Sequence, residues 1–328
     1  MSEPNLFILD VGHGNCAVLV DERTVVIDSG PGTTLLEFLA KEGISEIATV
    51  LVSHADEDHV KGLISLVESR TVQIKVVRVN SDALKGSATW NDLTYLLDVE
   101  NTAGRLRFEV GLTTSDSGRF DSGSINVQIL APSPGLAAKG PGSSDHKGRK
   151  LTSNSTSAVI RLMFDGLAKV LLPGDIDETG FENLLESGQD VTAPVAVFPH
   201  HGAGTSGSDL SKFATEFCKA TSAKNLVFSI GRGRYSTPRP EIVAAALGHA
   251  SQLRVICTQL SEHCASELPK NDPTHLTDKV ARGRELRRCC AGTVTLNLAR
   301  VTADLFPQVL AHREFIERSA PSALCTKA

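Results

Sequence analysis

The stretch His54-Ala-Asp-Glu-Asp-His59 sets the hardest condition on what this chain can become. Two histidines and two aspartates, His54, Asp56, Asp58 and His59, stand within six residues, directly after the apolar run Ile47–Val52 and directly before the helical pattern Val60, Leu63, Ile64 and Val67. While the chain is extended, His54 and Asp56 project to the same side. Asp58 and His59 fall at the helix start, where Asp58 also suits capping of the first turn. The segment therefore offers two ligand pairs aimed at two neighbouring points. A capped acidic turn accounts for Asp58 and leaves both histidines and Asp56 unexplained.

Two more candidate ligands occupy the same kind of place, just past a buried strand. Val170-Leu-Leu-Pro-Gly-Asp175 delivers a carboxylate, and Val195-Ala-Val-Phe-Pro-His-His-Gly202 delivers a pair of histidines. The surrounding pattern alternates strands and helices. Leu6–Val11, Ala17–Val20, Thr24–Ile27, Ile47–Val52 and Ile74–Val79 read as strands, with a helix over Thr33–Lys41 and another near Leu93–Val99. Ser124–Leu130 and the hairpin Ala158–Met163/Lys169–Leu172 follow. Later strands are expected at Val195–Phe198, Leu226–Ile230, Leu253–Cys257 and Val294–Leu298. Helices are expected at Phe181–Leu185, Leu210–Ala220, Ile242–Leu247 and around Ala303–Ile316. Residues 133–157, rich in Gly, Ser, Pro and Lys, read as a mobile loop. Two halves of strands followed by helices predict a layered α/β sandwich with the ligand-bearing strand ends at one edge.

Composition narrows the function classes. With 38 acidic and 33 basic residues among 328, the formal charge of −5 excludes a cationic nucleic-acid coat. The aromatic set, 12 Phe, 2 Tyr and 1 Trp, is thin for a protein that binds nucleic acid by stacking alone. No stretch approaches the roughly 18 apolar residues of a spanning helix, and the N-terminus lacks a basic leader. The expectation is a soluble cytoplasmic protein without a membrane role. Seven cysteines, an odd and sparse set, argue against a disulfide framework.

Taken together, Asp10-Val-Gly-His-Gly-Asn-Cys16, Val26-Ile-Asp-Ser-Gly30, His54-x-Asp-x-Asp-His59-x-x-Gly62, Asn154-x-x-Ser157, Gly174-Asp175 and His200-His-Gly202 resemble the metallo-β-lactamase superfamily. Within it they are similar to the hydrolase domain of ComEC-type competence proteins. The motifs cover roughly residues 5–260, and the resemblance implies a four-layer αββα sandwich; the expected domain spans residues 1–300, including a Cys-rich portion at about 250–300, with a helix and tail over 301–328. It implies two divalent ions: His54 and Asp56 on the first, Asp58 and His59 on the second, Asp175 bridging, and His201 completing the second site. His200 would then face the substrate as proton donor, although the two histidines can exchange these roles. Asp58 would serve catalysis as well as binding. Two departures from most of the superfamily, both shared with ComEC-type members, are Asp56 in place of a His and Asn154-Ser-Thr-Ser157 in place of a ligand-bearing segment. The first site is thereby harder, admitting Mn²⁺ or Mg²⁺ beside Zn²⁺. Nothing around His146 marks it as a substitute ligand, and Thr237 stands where the family often has a His before Pro238.

Two ions held a few Å apart suit phosphodiesters, since they stabilise both attacking and leaving oxygens. Basic segments around Lys147, Arg149 and Lys150, around Arg232 and Arg234, and from Lys279 to Arg288 favour a polyanion, and the resemblance implies DNA. The expected function is thus a free-standing DNA nuclease, restrained by a regulatory protein or by an activating protease acting near Arg149-Lys150, as in a defence effector. The alternative is a small-substrate hydrolase of the same fold, such as a phosphocholine esterase, cyclic-nucleotide phosphodiesterase or lactonase. Separately, Cys257, His263, Cys264, Cys289 and Cys290 are candidates for a structural zinc, should the strands ending at Cys257 and starting at Val294 pair. Cys16, Cys218 and Cys325 read as core or tail residues.

Overall fold

Apolar, β-branched runs pair into two sheets in the computed structural model, which describes residues 3–204, 209–250, 252–270, 273–301 and 305–326. The first sheet holds β1 (Asn5–Ile8), β2 (Ala17–Val20), β3 (Thr24–Ile27), β4 (Glu46–Val52), β5 (Gln73–Val79), β6 (Arg107–Val110), β13 (Val294–Asn297) and β14 (Leu305–Phe306). Their spatial order is β14-β13-β1-β2-β3-β4-β5-β6. The second sheet holds β7 (Ile125–Ala131), β8 (Val159–Phe164), β9 (Leu167–Leu172), β10 (Val195–Val197), β11 (Asn225–Phe228) and β12 (Arg254–Cys257), in the order β12-β11-β10-β9-β8-β7. Each sheet begins with an antiparallel trio, β1-β2-β3 or β7-β8-β9, and continues in parallel through β4-β5-β6 or β10-β11-β12.

Parallel strands need crossovers, and the crossovers supply the outer layers. Helices α1 (Thr34–Lys41), α2 (Glu57–Ser69) and α3 (Ala88–Thr102) lay Leu35, Phe38, Leu63, Leu66, Trp90 and Leu97 onto the first sheet. Helices α5 (Glu178–Glu186), α6 (Leu210–Thr221), α7 (Pro240–His249) and α8 (Val309–Ser319) cover the second with Phe181, Phe217, Val243 and Phe315. Between the sheets lies a third apolar layer containing Leu19, Ile27, Leu51, Ile160 and Val227. The result is the αββα sandwich expected from the sequence. No helix among the described residues is long and apolar enough to cross a membrane.

Three expectations change. Residues 133–157 are not a structureless loop: α4 (Pro134–Lys139), a Ser144–Lys150 bridge and a 3₁₀ turn at Asn154–Thr156 order them. Asp145, which accepts from the amides of Lys147 and Arg149, from the Arg149 guanidinium and from Asn183 of α5, ties this segment down through tertiary partners that no local pattern reveals. The last helix starts at Val309, after the short β14 pairs with β13. Ala303 lies outside the described residues. Finally, β12 and β13 belong to different sheets and do not pair.

The turn joining β3 to α1 clasps the start of α2. Ser29 Oγ donates to the His59 carbonyl and accepts from the Leu63 amide, while the Gly62 amide donates to the Gly30 carbonyl at 2.7 Å. A Cβ at Gly62 would stand 2.5 Å from the Ser29 carbonyl oxygen and 2.9 Å from that of Gly30, both rigid backbone. Gly62→Ala is therefore expected to destabilise the fold by about 1–3 kcal/mol through overpacking. The check is the shift in urea midpoint at unchanged m-value; a wild-type midpoint would refute the clasp.

Candidate metal centre

Each ligand candidate sits where a parallel strand ends, so the chain's polar side chains meet at one edge of the sandwich, as open parallel sheets generally arrange. β4 runs into His54 and Asp56, and α2 then starts with Asp58 and His59 in its first turn. β9 leads to Asp175, and β10 to His200 and His201. The two histidines occupy left-handed backbone, φ 51° and 56°, in a tight 3₁₀ turn from Pro199 to Gly202. That strained turn aims the two rings differently, which separates their roles.

The structure brings His54, Asp56, Asp58, His59, Asp175 and His201 together. Asp175 lies between the two groups: Oδ1 is 3.2 Å from His59 Nε2, and Oδ2 is 3.4 Å from His201 Nε2 and 3.8 Å from His54 Nε2. His201 Nε2 is also 3.1 Å from Asp58 Oδ2, and His54 Nε2 is 3.8 Å from Asp56 Oδ2. Donor atoms of Asp58, His59, Asp175 and His201 all fall within 4.8 Å of one another. Asp56 also pairs with Lys85 at the rim.

The imidazoles are presented for coordination. His59 Nδ1 donates to Asp28 Oδ2 at 2.7 Å, His201 Nδ1 donates to the Ser229 carbonyl at 2.7 Å, and His54 Nδ1 lies 3.0 Å from Ser53 Oγ. Ser53 Oγ spends its own proton on Asp28 at 2.7 Å, so it accepts from His54. With each Nδ1 acting as donor, each Nε2 carries the lone pair. All three Nε2 atoms are buried without a hydrogen-bond partner; the nearby carboxylate oxygens stand off hydrogen-bond alignment. Three orphaned nitrogens facing buried carboxylates fit divalent cations, and outer carboxylates and carbonyls on the far ring nitrogens are the usual support of metal-bound histidine.

Charge tells the same story. Burial alone would raise the carboxyls of Asp58 and Asp175, yet His201 and His59 hold both below the usual carboxylate range. Burial opposes protonation of His201, but with no cation bound Asp175 and Asp58 push its pKa up to about 10, and Asp175 and Asp28 likewise raise His59; a divalent ion would take the place of those protons and free the Nε2 lone pairs. The cluster thus demands positive charge between its carboxylates. His54 is pushed down by burial and by His59.

Several contributors escaped the sequence reading. Asp28, with φ 55°, accepts from the Ser53 amide and hydroxyl and from His59, so it orients the strand end and a ligand together. Asn15 Nδ2 donates to Asp175 Oδ1 at 3.3 Å. His13 packs on His201 with ring centres 4.3 Å apart and on Tyr235 at 4.6 Å, and burial followed by His201 brings its pKa down to about 3. Asp28, Asn15 and His13 all lie in motifs that mark the site, but pattern alone does not say which side chain turns inward.

His200 lines the open cleft above the donors, and its Nδ1 accepts from Asn154 Nδ2 at 3.1 Å. Other expected residues lie elsewhere. Arg234 lines the cleft, whereas Arg232 is structural: its guanidinium donates to the carbonyls of Leu260, Ala265 and Ser266. Lys147 pairs with Glu186, and Arg149 with Asp145 and Glu182, so these two are committed to α5 and do not line the cleft; neither does Lys150. His146 faces Glu186 at 3.6 Å, outside the centre. Of the zinc candidates, His263 bonds the Ser236 carbonyl and Cys289 turns to Asp10 Oδ2 at 3.4 Å, away from Cys257, Cys264 and Cys290.

Loss of the outer carboxylate isolates its effect on metal binding. Asp28→Asn is expected to weaken metal affinity by about 10–100-fold, measured by chelator competition, while circular dichroism stays that of the wild type. Unchanged affinity would show that Asp28 does not support His59 as a ligand.

No curated protein matches the sequence. Solved structures similar in fold include the metallo-beta-lactamase fold protein YhfI from Bacillus subtilis, at 11% identity and TM-score 0.46, covering 79% of this chain and 98% of that one. Tm1679, a metal-dependent hydrolase of the beta-lactamase superfamily, shares 17% identity at TM-score 0.47, covering 77% and 95%. The short form of human tRNase Z shares 15% at TM-score 0.42, covering 70% and 93%. The sequence profile of the metallo-beta-lactamase superfamily matches residues 9–215. That span includes every ligand candidate from His54 to His201, and the chain belongs to the metallo-beta-lactamase superfamily of metal-dependent hydrolases.

Proposed function

We propose that the protein is a two-metal phosphodiesterase that cleaves DNA, a ComEC-like nuclease, and that its activity is restrained until a regulatory protein or a protease releases it. The observation that carries this reading is the charge of the cleft. Its walls present Lys61, Lys85, Arg234 and Arg239 against Asp56, Glu57, Asp58 and Asp175. Cations and carboxylates are equal in number, so two divalent ions leave the cleft net positive. A polyanion is drawn to such a surface, and a neutral ester gains nothing from it. At about 760 Å³ the cleft is also open enough for an extended strand.

Bound there, two divalent ions would supply Lewis acidity and a water acidified toward neutrality. The mixed donor set admits Zn²⁺, Mn²⁺ or Mg²⁺. The chain's own groups do the rest. His54 and Asp56 would hold one ion and Asp58, His59 and His201 the other, with the Asp175 carboxylate placed between the two groups. Asn154 occupies Nδ1 of His200, which leaves Nε2–H to donate to the departing oxygen. Arg234 and Arg239 suit phosphate oxygens. Tyr235, 59% exposed with its ring tilted against His13 and the Arg234 guanidinium beside it, offers its exposed aromatic surface to an unpaired base. The Arg149–Lys150 bond lies in the segment that Asp145 and Glu182 pin down, so a processing protease must first open it.

Purified protein incubated with plasmid and single-stranded DNA in Mn²⁺, Mg²⁺ or Zn²⁺ is expected to cut at least one of them. The Asp58→Ala/His59→Ala variant should not. Absence of metal-dependent cleavage, before and after limited proteolysis at Arg149-Lys150, would refute the nuclease reading. Within an active preparation, Arg234→Ala/Arg239→Ala should weaken DNA binding several-fold and lower the salt slope by about 1–2. Hydrolysis of bis-p-nitrophenyl phosphate should be unchanged. Equal loss on both substrates would favour a small-substrate hydrolase.

A further inference from the structure

A cluster of soft donors lies outside the cleft. Cys257 ends β12, Cys264 sits in the turn that follows, Cys290 precedes β13, and Cys325 lies in the terminal 3₁₀ turn Leu324–Thr326. All four line one enclosed cavity of about 10 Å³, walled otherwise by Ser261 and by apolar groups including Val243, Val255 and Ile316. The backbone fixes two of them side by side, since the Cys290 amide donates to the Thr258 carbonyl and the Ala291 amide to that of Cys257.

We propose that Cys257, Cys264, Cys290 and Cys325 form a thiolate site for one structural zinc ion, independent of the hydrolytic centre. Four thiols around a space of about one small sphere make a donor set that selects a soft d¹⁰ cation. Hydrogen bonds to sulfur are already in place: the Leu324 amide donates to Cys264 Sγ at 3.5 Å, and His312 Nε2 lies 3.3 Å from Cys290 Sγ. Burial and mutual repulsion keep the thiols protonated, raising Cys257 and Cys290 well up and Cys325 to about 11. Zinc binding reverses that balance. The cation takes four thiolates, four protons leave to solvent, and the resulting double negative charge lies beside the Arg254 guanidinium, whose buried Nη1 is without a partner. Among the described residues only the hydrolytic donors close to within 4.8 Å, so zinc binding would have to draw these sulfurs closer together. The ion would tie the last turn of the chain to the edge strand β12, across 68 residues of sequence from Cys257 to Cys325.

The test uses the full chain with its hydrolytic centre disabled. Asp175→Ala/His201→Ala protein, purified without chelator, is expected to keep about one zinc per chain by elemental analysis. A mercurial thiol reagent should release that zinc in step with thiol modification. Adding Cys290→Ser/Cys325→Ser should remove it, and adding His263→Ala/Cys289→Ser should not. Cobalt-substituted protein of otherwise wild-type sequence gives a second readout that needs no cysteine variant: a thiolate-to-cobalt charge-transfer band. No zinc in the disabled protein together with no such band would overturn the proposal, as would a disulfide between any two of the four found by mass spectrometry of protein purified under reducing conditions.

Discussion

Asp175 is a carboxylate buried to 3% exposure and facing three imidazoles, and most of the architecture serves to make that arrangement tolerable. An isolated carboxylate in such a place costs several kcal/mol. Here three unpartnered Nε2 atoms and the Asp58 carboxylate surround it, so the set is stabilised only by positive charge held between its members. A set of this kind cannot be built within one element. It needs the ends of β4, β9 and β10 at one edge, which requires parallel strands in both sheets. Parallel strands in turn need crossover helices on both outer faces. The sandwich and the donor cluster are one solution to one constraint.

The support of the cluster repeats the logic one layer out. Asp28 binds the Ser53 amide, the Ser53 hydroxyl and His59, so the same carboxylate that finishes β4 also turns a ligand ring. Ser29 and Gly30 clasp α2 beside His59. At Gly174, with φ 55°, a Cβ would lie 2.3 Å from Ser157 Oγ, the hydroxyl that accepts from the Asp175 amide. The glycine before Asp175 is there because the neighbouring serine comes that close.

How far the sequence discloses this depends on the range of the interaction. The donors were legible because each lies at a local boundary, an apolar run giving way to His54, Asp175 or His201. The strands and most helices were legible for the same reason, through their periodicity. Asp28 as the partner of His59 was not, because 31 residues separate them and nothing local distinguishes it from a turn aspartate. Residues 133–157 were misjudged for a related reason: their order comes from Asp145, Arg149 and α5 rather than from apolar contacts. A run of basic residues reads identically whether it is solvated, paired or aimed at substrate. Arg149 proved paired, Arg232 structural and Arg234 cleft-lining. Among the late cysteines, adjacency in sequence does not mean a shared place: Cys289 turns to Asp10, its neighbour Cys290 lines a cavity, and Cys325 reaches that same cavity from the far end of the chain.

The two ends of the chain meet at one more buried carboxylate. Asp10 accepts from the Gly12 and Gly283 amides, from Gln259 Nε2 and from Cys289, and it forms a bridge with Ala281. The turn it opens carries His13 and Asn15 to the hydrolytic centre, and a Cβ at Gly14 would strike the Asp58 carbonyl at 2.3 Å. Gln259, Gly283 and Cys289 all lie beyond residue 215, where the superfamily match ends. The C-terminal third is therefore part of the hydrolytic centre's scaffold rather than an appendage to it. Whatever fixes the stretch from Cys257 to Cys290 in place also fixes the turn that presses His13 onto His201 and Asn15 onto Asp175.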